Sequence, residues 1–285
     1  MISSFANIFG YLLNFLYNLL SNYGLAIIIF SIILKIILLP ISIKQQKTMK
    51  KTSKVQLEMK EIQEKYKNDA EKLNKEIMNL YKRENVSPFS GCLSAIIQIV
   101  LLFSVFYLVR SPLTYMKKVD SELINQYREE LQQEGKINTA YPEIAIINEK
   151  GNQDEQVKIN MGFLGLDLSS VPTQNINNIK TWIIPVLYVI SSIVSIKVTT
   201  KVQASNNNTN EKIELDENGN VKEKEVDPMT QTNKMMGWFM PVMSVSIAMV
   251  APLGLALYWL INNLLMISER VILTKLLDKE DTENA

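Results

Sequence analysis

Apolar residues fall into four blocks separated by charged segments: 23–43, 87–110, 181–196, and a last block from Met235 to Ser268 that holds no charged residue. A helix needs about 20 apolar residues to cross a hydrocarbon core of about 30 Å. The first two blocks meet that length. The third lies between Lys180 and Lys197; as a helix it would be about 24 Å long, and that shortfall predicts local thinning of a bilayer. The last block would be about 50 Å long as one helix, too long for one crossing. Ala251-Pro252-Leu253-Gly254 at its centre marks a turn, dividing it into helices over 235–250 and 253–268. The expected fold class is an all-α polytopic membrane protein with five transmembrane helices.

The segments between the spans carry different signals. Over 1–22, Asn7, Asn14, Asn18 and Ser21 recur at helical spacing opposite Phe5, Ile8, Leu12, Phe15, Leu16 and Leu19. That stripe predicts an amphipathic helix lying in the outer interface. In 44–86, Val55, Met59, Ile62 and Tyr66 form one helical stripe. Ala70, Leu73, Ile77 and Leu80 repeat it after Lys67-Asn68-Asp69, so a helical hairpin is expected. The 111–180 loop has a helical stretch at 120–134 and a β-prone Ile144-Ala-Ile-Ile147. Residues 197–234 form a linker, with Asn206-Asn-Asn-Thr-Asn210 and mixed charges over its 203–232 stretch, and 269–285 form a tail.

The net charge of +1 conceals a segregation. Residues 44–84 carry twelve Lys and Arg against seven Asp and Glu, a net of +5, whereas 111–180 carry seven against ten, a net of −3. Basic flanks mark the cytosolic side. The cluster Lys44, Lys47, Lys50, Lys51 therefore orients the chain with its amino terminus outside, the 111–180 loop outside and the carboxyl terminus cytosolic in a cell membrane. With one cysteine and no histidine, the chain has no disulfide framework and lacks the commonest general base and metal ligand. It also has no Gly-rich phosphate loop. No cofactor is expected, and catalysis is not indicated.

Lys35 stands mid-way in the first apolar block, and no apolar block contains an acidic residue. A mid-span Lys costs about 2.5–3.5 kcal/mol on insertion scales and is ordinarily paired or hydrated. A water-lined recess is the expectation. Measured from the cytosolic end of each span, Lys35 is about 12 Å deep, Gln98 about 15 Å and Trp259 about 14 Å, with Asn262 and Asn263 nearer the cytosol. These five residues are the candidate substrate groove. For Gln98 the plain alternative is an interhelical hydrogen bond, for Trp259 ordinary packing, and for Lys35 snorkelling of its stem.

Several ordered stretches resemble the YidC-type membrane insertases in their short form, which lacks a large outer domain. Tyr23-Gly-Leu-Ala-Ile-Ile through Leu39-Pro40 and Ile43-Lys-Gln-Gln-Lys47 resemble the family's first core span. Asn85-Val-Ser-Pro-Phe-Ser-Gly-Cys-Leu93 is similar to its NP-x-x-GC-x-P signature, with Ser87-Pro88 in place of Asn-Pro. Gly165-Leu-Asp-Leu-Ser169, Met240-Pro-Val-Met243 and Gly254-Leu-Ala-Leu-Tyr-Trp-Leu-Ile-Asn-Asn263 complete the set. The resemblance implies a five-helix bundle around a hydrophilic groove open to the cytosol. It implies nascent membrane proteins as substrates, with the Sec translocase and the ribosome as partners. Lys35 takes the place of the family's usual groove Arg, keeping the charge without the planar fork. Trp259 falls where the family has a substrate-facing aromatic. The tail, with three basic and five acidic residues over 269–285, departs from the family's basic ribosome-binding tail. Two other classes stay open on the residues alone: a channel or secondary transporter with an intramembrane Lys, and a membrane tether using 44–86 as its arm.

Overall fold

The structure is a computed structural model that describes residues 2–85, 90–137, 140–206 and 245–283. Its long helices are α1 (Ile2–Leu20), α2 (Tyr23–Lys65), α3 (Ala70–Arg83) and α4 (Ser90–Arg110). Two shorter ones follow, α5 (Ser121–Gln133) and α6 (Pro142–Lys150), then α7 (Ile183–Asn206), a described helical stretch α8 over 245–250, and α9 (Leu253–Glu283). Two strands, β1 (Gly162–Phe163) and β2 (Leu166–Asp167), pair antiparallel. Among the described residues three helices are long and apolar enough to cross a membrane: Tyr23–Thr48, Ile179–Thr200 and Leu253–Leu276. Most of the expected 235–250 span, and the 207–234 part of the linker, lie outside the described residues.

Helices run past the ends of their apolar blocks. α2 continues through the basic cluster to Lys65 with Pro40 inside it, α7 continues to Asn206, and α9 to Glu283. Beyond 43 the Lys, Gln and Glu residues are strong helix formers, and a change of polarity by itself does not stop a helix. The expected boundaries at 43, 196 and 268 therefore mark a change of environment within single helices. The third apolar stretch also begins earlier, at the turn Ile179–Trp182. Its 22 residues, Ile179–Thr200, reach roughly 33 Å as helix, which removes the length argument for bilayer thinning at this helix.

The chain divides into two compact units. One comprises residues 1–39, 93–191 and 245–266. Its core gathers Phe9, Leu13 and Leu16 of α1, Tyr23, Ile27, Phe30 and Leu34 of α2, and Val105, Leu108 and Val109 of α4. Ile144–Ile147 of α6 and Leu253–Leu260 of α9 complete it. α1 has three faces. Ala6, Phe9, Gly10, Leu13 and Leu16 are buried, Phe5, Ile8, Tyr11, Phe15 and Leu19 form an exposed apolar stripe, and Asn7 and Asn18 are exposed on the polar side. Leu16, expected on the apolar stripe, belongs to the buried face. α1 packs on the π-helical turn Leu113–Lys117 so closely that a Cβ on Gly10 would overlap the carbonyl oxygen of Tyr115.

The 111–180 segment is well organised. Asp120 caps α5 by accepting from the amide of Glu122 at 2.7 Å. The β-prone stretch at 144–147 is helical instead: Pro142 opens α6, and Ile144, Ala145, Ile146 and Ile147 are all buried. A strand would point alternate residues outward, whereas this short helix buries five consecutive residues, Glu143–Ile147, and burial overrides the β preference. The β-hairpin turns at Leu164-Gly165, both with positive φ (49° and 76°), as primed two-residue turns require. Its strap of residues 160–170 then supplies carbonyls to helix starts. Tyr23 N donates to Asn160 O at 3.1 Å, Leu253 N to Ser170 O and Gly254 N to Leu168 O, both at 2.9 Å. First-turn amides have no partner inside their own helix, so this strap completes α2 and α9.

In the other unit (40–92, 192–244 and 267–285), α2 and α3 meet through Val55, Met59 and Leu80, flanked by Ile62, Ile77 and Tyr81. Asp69 caps α3 by accepting from Lys72 N at 3.0 Å. The Arg83 guanidinium reaches Glu58, Arg270 donates to Thr199 Oγ1, and Gln46 Nε2 donates to Thr274 Oγ1 at 3.2 Å.

Candidate functional site

All five candidate groove residues belong to the first unit. Lys35 is half-buried on α2, at the margin of the face that buries Tyr23, Ile27, Phe30, Ser31 and Leu34; the next two residues, Ile36 and Ile37, are exposed. Gln98 falls on α4, and its side chain lies outside the described ones. Trp259, Asn262 and Asn263 lie on α9, with Trp259 and Asn263 buried and Asn262 half-buried.

A polar seam joins α9 to α7. Asn263 Nδ2 donates to Ser191 Oγ at 2.9 Å, and Ser191 Oγ donates to Tyr188 O at 2.8 Å. The Tyr188 ring in turn tilts against Trp259, centroids 6.0 Å apart at 34°. The Asn263 amide is thus engaged in a helix–helix contact. Such contacts between membrane helices contribute about 0.6–2 kcal/mol. Sequence reasoning missed Ser191 and Tyr188; the Ser191-Ser192 pair within an apolar block is the signal that could have found them. Two more buried hydroxyls turn back onto their own helices, Ser31 Oγ to Ile27 O at 2.7 Å and Ser104 Oγ to Val100 O at 2.6 Å.

Trp259 is different. Among the described residues its Nε1 is buried without a hydrogen-bond acceptor, as is the Tyr23 hydroxyl. A buried unmet donor costs about 1–3 kcal/mol. Among the described residues no group of three His, Cys, Asp or Glu could hold a metal ion.

A second polar cluster was not foreseen. Glu143, 6% exposed, accepts from Leu113 N at 2.7 Å, Thr114 N at 3.0 Å and Thr114 Oγ1 at 2.6 Å. Burial pushes its carboxyl above the usual carboxylate range, and the hydrogen bonds from Thr114 and Leu113 pull it part of the way back. Its role is architectural: it caps the turn on which α1 rests.

The family model described as the 60Kd inner membrane protein matches residues 15–280. The chain belongs to that family. It is similar over shorter stretches to proteins named membrane protein insertase YidC. The identity is 49% over 98 residues in Chlorobaculum parvum (34% of this chain, 17% of that relative). It is 44% over 102 residues in Fusobacterium nucleatum (36% and 50%) and 39% over 102 residues in Caldanaerobacter subterraneus (36% and 50%). The chain spans half or less of the length of these relatives in the aligned stretches. In this 60Kd inner membrane protein family member, Ile36 and Ile37 on α2, and Ile183, Val186, Leu187 and Ile190 on α7, are exposed large aliphatic side chains on helices long and apolar enough to cross a membrane.

Proposed function

We propose that this protein is a membrane protein insertase and chaperone of the plasma membrane, non-catalytic and free of cofactors. The reading rests on one observation above the others: a chain of this family holds Lys35 half-buried inside an apolar helix. In this reading five spans enclose a hydrophilic groove open to the cytosol, with the amino terminus outside and the carboxyl terminus inside. Lys35 charges the groove wall, Gln98 and Asn262 offer amides, and the unmet Trp259 donor meets a carbonyl of the entering chain. Asn263 holds that wall in register through Ser191.

The substrate is a nascent membrane protein. The 44–86 arm, with its excess of Lys, receives it together with the ribosome or Sec translocase. A short acidic flank then enters the groove toward Lys35, drawn by charge, while the adjoining apolar segment partitions into lipid. Transfer of each large apolar residue supplies about 0.3–0.6 kcal/mol. The membrane potential adds about 2.3 kcal/mol per charge per 100 mV to outward movement of a negative flank. Reconstituted vesicles test the mechanism with a single-span substrate bearing an acidic flank. Lys35→Glu blocks its insertion and Lys35→Arg supports it; normal insertion by Lys35→Glu would refute the electrostatic step.

A further inference from the structure

The segment that leads into α7 exposes large aliphatic side chains from a locked backbone. Ile176 is 67% exposed and Ile179 is 82% exposed. Beside them, the second strand of the β-hairpin packs on the Ile179–Trp182 turn, and Leu164 at the hairpin tip is 86% exposed. The backbone that presents the two isoleucines is held by its own side chains. Thr181, itself buried, donates from Oγ1 to Asn178 O at 2.7 Å and to Asn175 O at 3.2 Å. Trp182 Nε1 donates to Ile176 O at 3.3 Å, and Asn178 Oδ1 accepts from Lys180 N at 3.1 Å. The outward isoleucines are therefore a fixed feature of the turn.

We propose that residues 175–182 are a lipid-surface anchor. Ile176 and Ile179 seat in the acyl boundary of the leaflet where α7 begins, while Lys180 and Trp182 sit at its headgroups. Continuity decides for lipid over a protein partner. Ile179 opens the stretch, continuing as α7, that is long and apolar enough to cross a membrane. The exposed row Ile183, Val186, Leu187, Ile190 carries that surface onward at helical spacing. In this reading that row faces acyl chains and continues back through Ile179; Ile176 stands exposed just before it, across the extended backbone at Asn178, among polar Asn175, Asn177 and Asn178. Trp and Lys are the side chains that favour this boundary, the Lys stem lying along apolar surface with its ammonium at the headgroups. The consequence is that the start of α7 is pinned at a set depth. The proposal depends on the chain being a membrane protein and is independent of insertase activity.

Spin labels at single cysteines introduced at 176 and 179 in a Cys92→Ser background test it. The protein is held in nanodiscs of phosphatidylcholine and phosphatidylglycerol. Labels at 190 and 129 serve as the lipid-facing and water-facing references, and collision with oxygen is compared with collision with a water-soluble nickel chelate. The anchor predicts oxygen-dominated collision at 176 and 179, as at 190, and nickel-dominated collision at 129. Nickel-dominated collision at 176 and 179 overturns it. So does exclusion of both reagents, which would mean that protein covers the turn. Insertion assays read neither outcome, so failure here leaves the insertase reading to its own test.

Discussion

Replacing Glu143 with leucine removes the acceptor on which the Leu113–Lys117 turn depends. In the native fold its carboxylate meets two backbone amides, Leu113 N at 2.7 Å and Thr114 N at 3.0 Å, and the Thr114 hydroxyl at 2.6 Å. Leucine leaves both amides without a partner, each at about 1–3 kcal/mol. Relief of the buried charge offsets part of that, for a net loss of about 2–4 kcal/mol in local opening free energy. At 1.4 kcal/mol per tenfold, amide exchange at Leu113 and Thr114 accelerates about thirty- to a thousandfold. Glu143→Gln retains a carbonyl acceptor of the same reach and stays within about tenfold of the native protein. Hydrogen exchange read by mass spectrometry in detergent micelles, resolved to peptides covering 111–118, measures both variants. If Glu143→Leu exchanges no faster than Glu143→Gln, the cap is not what holds this turn.

The same carboxyl gives a pH signature. Because its folded pKa is raised, its contribution to stability is complete below the ordinary carboxylate value of about 4.3 and is lost as pH rises through the folded value. Local exchange at 111–118, corrected for intrinsic rates, is therefore slower at the acid end of that window, and Glu143→Gln abolishes the difference. Gly10→Leu forces α1 off the Tyr115 carbonyl at a cost of about 1–3 kcal/mol, read as faster exchange across α1; an unchanged α1 would refute the close approach. Ser191→Ala and Asn263→Ala together cost less than the sum of the single changes, with a coupling of about 0.6–2 kcal/mol. A double-mutant cycle of unfolding in mixed micelles measures it, and zero coupling would deny the seam. Trp259→Phe keeps the ring packed on Tyr188 but removes the donor. It should lower insertion of the acidic-flank substrate in vesicles without loosening α9; equal insertion would assign Trp259 to packing alone.

What could be read from the residues follows the physics that dominates each region. Long apolar blocks around Ile27, Leu187 and Leu257 announce helices because lipid leaves the backbone few alternatives. The break at Pro252 is equally plain, since proline and glycine act locally. Helix ends were harder to place. Beyond Ile43 and Ile196 the chain turns polar while the helix runs on, so a boundary drawn at the first charge falls inside α2 and α7. The 111–180 segment was the least legible. Ile144–Ile147 has strand-like composition, and its helix depends on partners distant in sequence. Glu143 carries no local mark that it will be buried. At the candidate site Lys35 and Trp259 stood out as polar or amphipathic groups in apolar surroundings. The Asn263–Ser191 pairing could not be seen, because the facing of α7 and α9 is set by packing rather than by either helix alone.

The account depends most on Lys35 lying in water that reaches it from the cytosol. A Lys35→Cys, Cys92→Ser protein in sealed membrane vesicles of each orientation, treated with a membrane-impermeant charged maleimide, tests this directly. The account predicts modification when the reagent is on the cytosolic face and protection when it is on the outer face. Protection from both faces would show a site sealed in lipid or protein and would contradict the hydrated groove; modification from both would point to a continuous channel.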